Sequence, residues 1–320
     1  MSLLRRIGLV LAGSLGLAAC DTTSETLDSE RKYYFAGGGW GCPTCDFRNS
    51  PHFGLYPIDA FQLGGGGSGF SLQSIEDPAG DRHPVEFDGS ALIARTKNGD
   101  FEGIDLLDWT LIFEFGGSET RVSVAGFELH PDWVGGADVP TYALGVLTGP
   151  PGEENLESVC PGLSFEQTNV VFTPGETYDP VSLTVQAEDS DRVTMSCRGP
   201  AVAKLKFLGH DPADAYGSTV EGRQAALKML TADYCGNGQP HTTIGHPLNF
   251  ADDLGLFDPN FFAPASDMEA RWDENGAVCL NEPRNALVAR GDVTCAASLP
   301  TCSGQGLAGA LWSSYAPKTP

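Results

Sequence analysis

The cysteines of this chain constrain its fold more than any other feature of the sequence. One of the nine, Cys20, stands apart near the N-terminus, and setting it aside leaves an even number. The others are Cys42, Cys45, Cys160, Cys197, Cys235, Cys279, Cys295 and Cys302. In an exported protein an even set predicts disulfide bonds, each worth about 2–4 kcal/mol of stability. The disulfide prediction therefore depends on export, for which the N-terminus carries the signal.

Residues 1–19 have the form of a bacterial lipoprotein signal peptide. Arg5 and Arg6 precede an apolar stretch that is too short to span a bilayer as a helix. The stretch ends in Leu17-Ala18-Ala19-Cys20, which resembles the lipobox, where the cysteine thiol receives a diacylglyceryl group. We therefore predict that Cys20 is lipidated, with a soluble secreted protein as the alternative. Two or three acyl chains anchor a protein durably.

Charge and hydropathy indicate where the mature chain operates. No later stretch reaches the about 18 apolar residues of a transmembrane helix, so we expect the rest to face the periplasm or cell exterior. Without the two leader arginines, 17 basic residues stand against 42 acidic ones, a net charge of −25. This field repels nucleic acid and anionic lipid. The expected partners are a membrane, through the lipid, and an unknown protein or glycan, but no nucleic acid.

The sequence predicts an α+β protein whose N-terminal half is rich in β-structure. After a flexible tether over 20–35, a β-rich domain is expected over 36–190, with a sandwich or barrel-like fold. Its segments alternate apolar and polar residues between turn clusters, as half-buried strands do. The predicted strands are Ala91–Ala94, Trp109–Phe115, Arg121–Ala125, Tyr142–Leu147 and Val181–Val185.

Two helices and a loop-rich, disulfide-stapled segment are expected over 191–315. The first helix runs from Ala201 to Leu208, between a proline and a glycine. The second begins at Ser218-Thr-Val-Glu221, which has the form of a capping box, and stops at Gly236. Beyond Gly236 the sequence is typical of loops.

Local spacing indicates one set of disulfide pairs among many that eight cysteines allow. Cys42 with Cys45 and Cys295 with Cys302 would close short loops, which leaves Cys160 with Cys197 and Cys235 with Cys279. A thioredoxin-type activity for Cys42-Pro-Thr-Cys45 lacks the βαβ context that such chemistry requires, so a structural disulfide is favoured there.

One segment carries a family resemblance. Thr231-Ala-Asp-Tyr-Cys-Gly-Asn-Gly238 resembles the ADYC domain, and Glu269-Ala-Arg-Trp272 and Asn275-Gly-Ala-Val-Cys279 resemble its downstream elements. The resemblance implies a domain of unknown function, found chiefly in envelope proteins of myxobacteria and their relatives. It also implies cysteines at the positions of Leu205 and Ala226, so a helix–helix disulfide is expected to be replaced here by apolar packing.

Polar residues near this segment are candidates for chemistry. Asp233, His241 and Glu269 could act as acids, bases or nucleophile activators, and His241 with His246 could bind a metal. The two histidines are five residues apart in a loop, not four apart on a helix as in His-Glu-x-x-His, so no metal and no cofactor is predicted. The alternative is that Asp233 bonds the turn and His241 bonds loop backbone.

Glu269 and Trp272 stand three residues apart, a helical spacing. An exposed tryptophan could stack on a sugar ring, whereas a buried one would pack against a disulfide.

Two functions follow from these observations. The first is a lipid-anchored cell-envelope protein of uncharacterised role, a non-enzymatic binding or structural module. The alternative is an envelope hydrolase, with or without a metal, that uses His241 and Asp233 together with Glu269.

Overall fold

The structure is a computed structural model that describes ten stretches of the chain. These are residues 51–53, 56–65, 69–150, 154–160, 168–179, 181–212, 216–242, 248–257, 265–302 and 309–317. The predictions for the signal peptide, the tether, Cys20, the Cys42–Cys45 pair and His246 lie outside the described residues.

The strands of the N-terminal part follow one another with short connections. They are β1 (His52–Phe53), β2 (Tyr56–Pro57), β3 (Ala60–Leu63), β4 (Ser71–Glu76), β5 (Arg82–His83), β6 (Val85–Asp88), β7 (Ala91–Thr96), β8 (Gly99–Glu102), β9 (Thr110–Phe115), β10 (Ser118–His130), β11 (Val139–Thr148), β12 (Asn155–Ser158), β13 (Asn169–Asp179) and β14 (Thr184–Cys197). A 3₁₀ turn, Gly103–Leu106, lies between β8 and β9.

Seven of these strands close into a barrel, which confirms the barrel-like prediction. Their order is β10-β9-β4-β3-β14-β13-β11, and pairing of β11 with β10 closes the ring. Neighbouring strands are antiparallel except β3 and β4, which run parallel. Strand β12 extends the sheet beyond β11, and β5 pairs with β4.

The side chains that point inward from the strands fill the interior of the barrel. On β9, Leu111 and Phe113 are fully buried in the core, whereas Glu114 is exposed. Phe113 meets Phe61 of β3 edge to face, with ring centroids 5.1 Å apart. Aromatic pairs in this arrangement add to the stabilisation that burial provides.

A three-stranded meander, β6-β7-β8, packs onto this core. Leu92 and Ala94 of β7 belong to the same buried cluster as the barrel residues. The backbone N–H of Leu92 donates to the Tyr142 hydroxyl at 2.9 Å, and the Ser90 hydroxyl donates to the Phe172 carbonyl at 2.6 Å. These bonds satisfy polar groups at the edge of the core.

The C-terminal part contains two helices and a second sheet. The helices are α1 (Ala201–Phe207) and α2 (Val220–Thr231), and the strands are β15 (Asn249–Asp252), β16 (Ala265–Asp273), β17 (Gly276–Leu280) and β18 (Trp312–Pro317). The strands pair antiparallel in the order β15-β18-β16-β17. The α+β class is thus confirmed, but the sequence analysis missed this sheet because its strands carry many polar residues.

The ends of the secondary-structure elements differ in part from the predictions. The first helix is confirmed, whereas the capping-box prediction at Ser218 is wrong by one residue. Thr219 is the N-cap, and its hydroxyl accepts the Gly222 N–H at 3.0 Å. Helix α2 ends where Ala232 takes a left-handed conformation with φ 54°, before Gly236. The predicted strand at Val181 begins only at Thr184.

Helix α1 packs against both parts of the chain. Ala203 and Phe207 contact the outer face of the barrel through Val139 and Val171. Leu205, two residues from each and therefore on the opposite face of the helix, lies in the second core, and Ala226 of α2 is buried in that cluster too. Apolar side chains therefore fill the positions where the family resemblance implies cysteines.

Of the described disulfide pairs that local spacing predicts, one is confirmed and two are wrong. Cys160 is joined to Cys197, as predicted. The pairs Cys295–Cys302 and Cys235–Cys279 are wrong, because the structure joins Cys235 to Cys295 and Cys279 to Cys302. The second sheet explains the difference, since Cys279 is fully buried on β17 while Cys235 lies in the turn after α2.

Candidate functional site

The Ala232-Asp233-Tyr234-Cys235-Gly236 segment, named here the ADYC turn, leaves the end of α2 and docks on the turn between β16 and β17. The Ala277 N–H donates to the Tyr234 carbonyl at 2.9 Å. Gly236 has φ +65°, and a Cβ added there would overlap the Asn275 carbonyl oxygen. Only glycine fits this approach of two backbones.

Asp233 holds the turn together from the inside. Its side chain is fully buried, and Oδ2 accepts from Lys228 Nζ at 2.7 Å and from the Gly238 N–H at 2.8 Å. The Asn237 N–H donates to Oδ1 at 3.1 Å. Lys228 Nζ also donates to the Ser182 carbonyl at 2.8 Å. This ion pair therefore links α2, the ADYC turn and the turn between β13 and β14.

Tyr234 packs at the centre of the second core. Its ring stacks on Trp272 with centroids 5.2 Å apart, and its hydroxyl donates to Glu269 Oε1 at 2.5 Å. Burial, and then the neighbouring Glu269 carboxylate, raise the pKa of Tyr234 well above its ordinary value. The hydroxyl therefore stays protonated in the folded protein.

Glu269 belongs to a second buried ion pair. Arg284 Nε lies 2.9 Å from Glu269 Oε1, and the Arg284 backbone N–H donates to the same oxygen at 3.2 Å. Arg284 Nη2 donates to the Met229 carbonyl of α2 at 2.7 Å. This ion pair ties the last turn of α2 to strand β16.

The expected helical spacing of Glu269 and Trp272 is wrong, because both residues lie on β16. Register shifts on this strand place both side chains in the core although they are three residues apart. Trp272 is fully buried and its Nε1 donates to Ser314 Oγ at 2.8 Å. It offers no face to a sugar.

His241 lies at the border of this core. Its N–H donates to the Thr231 carbonyl at 3.2 Å, and its carbonyl accepts from Asn285 Nδ2 at 3.3 Å. The ring is half-buried, 5.6 Å from that of Tyr234, and burial lowers the pKa of His241. His241 and Glu269 thus lie beside Tyr234, and Asp233 precedes it in the chain, but both carboxylates are closed to solvent and contact a cation.

A third buried ion pair was missed by the sequence analysis. Arg223 of α2 donates from Nη2 to Glu176 Oε2 at 2.6 Å, and the Tyr178 hydroxyl donates to Glu176 Oε1 at 2.5 Å. Glu176 is on β13, so this pair fixes α2 to the barrel. The signal available in the sequence was a helix with two basic residues, Arg223 and Lys228, among apolar ones.

One further cluster has the composition of a hydrolase triad. His210 Nδ1 lies 3.0 Å from Ser218 Oγ, and His210 Nε2 lies 3.5 Å from Asp252 Oδ2 without a hydrogen bond between them. The side chains of His210 and Asp252 are 1% and 0% exposed. The His210 ring packs 4.6 Å from Trp312, so this histidine is part of the core.

Two features are absent from the part of the chain that the structure describes. No group of three or more histidine, cysteine, aspartate or glutamate side chains there is placed to hold a metal ion. No helix among those residues is both long enough and apolar enough to cross a bilayer.

The fold and the buried contacts define a mostly β protein of the α+β class, in which a seven-stranded barrel is joined to a disulfide-linked unit by ion pairs. The chain belongs to the ADYC domain family, whose model matches residues 103–286. The match spans five of the seven barrel strands, both helices, the ADYC turn and the Glu269–Arg284 pair. No curated protein and no solved structure matches the chain.

Proposed function

We propose that this protein is a lipid-anchored protein of the cell envelope and that its ADYC unit is a non-enzymatic binding or structural module. Cys20 carries the lipid, and the folded part faces the periplasm or the cell exterior. A protein or a glycan is the expected ligand of the module.

The position of the Asp233 and Glu269 carboxylates supports this proposal more than any other observation. A general acid or base must reach the proton that it transfers. Both carboxylates are instead buried against Lys228 and Arg284. Removing one partner of such a buried pair typically destabilises the fold by about 3–5 kcal/mol, so these groups act as internal braces.

The disulfide bonds support an exported location. Cys160–Cys197, Cys235–Cys295 and Cys279–Cys302 connect distant parts of the chain. Bonds of this kind form and persist in oxidising compartments and are rare in the cytosol.

Metal content and covalent labelling of the purified, oxidised protein test the non-enzymatic proposal. We expect no stoichiometric zinc, and no labelling by a fluorophosphonate, a probe that reacts with activated serines. Stoichiometric zinc that is lost in a His241→Ala variant would contradict the proposal. So would labelling that disappears in Ser218→Ala but persists in Ser298→Ala, a change at an exposed serine elsewhere.

A further inference from the structure

Three aromatic side chains form a cluster at one end of the barrel, named here the aromatic patch: Tyr56, Phe70 and Phe115. Tyr56 is 58% exposed and Phe115 is 37% exposed. The Phe70 and Phe115 rings stack with centroids 4.4 Å apart, and Tyr56 lies 5.8 Å from Phe115. Beneath them, Phe53 contacts Phe70 at 5.5 Å and connects the patch to the core.

The patch lies at the first strands that the structure describes after the predicted lipidation site. Strand β1 begins at His52, and its Phe53 pairs directly with Tyr56 of β2. About 30 residues connect Cys20 to this point, a covalent reach of at most about 100 Å. A protein anchored through Cys20 therefore holds the patch at high effective concentration near the membrane surface.

We propose that the aromatic patch is a second membrane contact, which inserts among the headgroups of a zwitterionic bilayer. The inference rests on the lipid anchor of the proposed function. Tyrosine and other aromatic side chains favour the boundary between headgroups and acyl chains.

The size of the patch favours a membrane over a protein partner. A stable protein interface buries about 800 Å² on each side, which is far more than three side chains provide. A tethered surface needs only a weak contact, because the anchor already supplies most of the affinity.

Charge sets the lipid preference. The mature chain carries −25, and Glu114 next to Phe115 is exposed. Anionic headgroups repel such a surface within a Debye length. The contact should therefore weaken when anionic lipid is added to the bilayer.

Hydroxyl-radical footprinting of the lipidated protein tests the proposal. The protein is reconstituted on phosphatidylcholine vesicles and isolated by flotation. The reference is the unlipidated Cys20→Ala chain, without the leader, in solution. We expect Tyr56 and Phe115 to oxidise more slowly on vesicles by about threefold or more. Leu287, which is 89% exposed, serves as the internal control and should react equally in both states.

Several results separate the outcomes. Protection of Tyr56 should fall in Phe115→Ser, stay in Leu287→Ser, and weaken with a fraction of phosphatidylglycerol in the vesicles. Equal rates at Tyr56 in floated and free protein would overturn the patch proposal and leave the anchor intact. If the wild-type protein fails to float with vesicles of either lipid composition, the anchor is wrong, and the patch proposal is wrong with it.

Discussion

Every residue of the Ala232-Asp233-Tyr234-Cys235 motif contacts the interior of the protein. Ala232 ends α2 in a left-handed conformation, and Asp233 pairs with Lys228. Tyr234 bonds Glu269, and Cys235 is cross-linked to Cys295. Each residue of the motif that names the family therefore has a role in the fold.

Loss of the Asp233 charge should weaken the fold strongly. In Asp233→Asn, Lys228 stays buried without its carboxylate, and we expect a loss of about 3–5 kcal/mol in the free energy of unfolding, measured by urea denaturation. Asp105→Asn, at an exposed position, should change it by less than about 0.5 kcal/mol. If the two variants are equally stable, the bracing role of Asp233 is wrong.

Gly236 should tolerate no side chain. In Gly236→Ala the new Cβ overlaps the Asn275 carbonyl, so the ADYC turn must move and the free energy of unfolding should fall by about 3 kcal/mol or more. Gly255→Ala is a matched control, because Gly255 has φ +73° with no atom within 4 Å of the added Cβ. Gly255→Ala should lower the free energy of unfolding by only about 1–2 kcal/mol, the strain of an alanine at positive φ. Equal losses would show that the turn does not dock on Asn275.

His241 should make stability depend on pH. Burial lowers its pKa, so the unfolded chain binds a proton more readily than the folded one. The stability that neutral His241 contributes is therefore complete above the ordinary histidine pKa. It is lost as the pH falls through the lower pKa that His241 has in the folded protein. Between pH 7 and pH 5 the Tm of the wild type should fall more than that of His241→Gln. Parallel curves would contradict this assignment.

At the scale of elements, helix α2 connects the two parts of the chain. Arg223 binds Glu176 of β13, and Lys228 reaches the Ser182 carbonyl. Arg284, which follows β17, bonds the last turn of α2. Three buried ion pairs thus converge on one helix, and we infer that barrel and second sheet unfold together.

The disulfide pairs are a test of how the second sheet is arranged. Proteolysis of the non-reduced protein followed by mass spectrometry should find Cys235–Cys295 and Cys279–Cys302 peptides. A Cys279→Ser, Cys302→Ser variant should lose about 3 kcal/mol, because it opens a loop of 23 residues. Peptides that contain Cys295–Cys302 would mean that the arrangement of β17 is wrong.

The sequence predicted elements better than it predicted their contacts. Alternation over Trp109–Phe115 and the proline before α1 are local signals, and both elements are where the pattern places them. The pairing of Cys279 depends on the register between β16 and β17, which local spacing does not record. Likewise the motif brought Asp233 and Glu269 to attention, but their buried pairing with Lys228 and Arg284 depends on tertiary packing, which local sequence does not record.

At the scale of the whole molecule, the protein is acidic and disulfide-linked, and an exposed aromatic patch lies at the first strands that the structure describes. Its attachment to a membrane through Cys20 is a proposal. The buried ion pairs connect the barrel, helix α2 and the second sheet. The lipid at Cys20 is the central claim, because both the proposed location and the proposed membrane contact of the patch depend on it.

Partition in the detergent Triton X-114 tests that claim most directly, with the full-length precursor expressed in a bacterial host that processes lipoproteins. The wild-type protein should enter the detergent-rich phase. Its intact mass should match a chain that begins at Cys20 and carries the acyl chains. Cys20→Ala should enter the aqueous phase, whereas Thr22→Ala, a neighbouring change, should behave as the wild type does. Detergent-phase partition of Cys20→Ala, or aqueous partition of the wild type, would contradict the account.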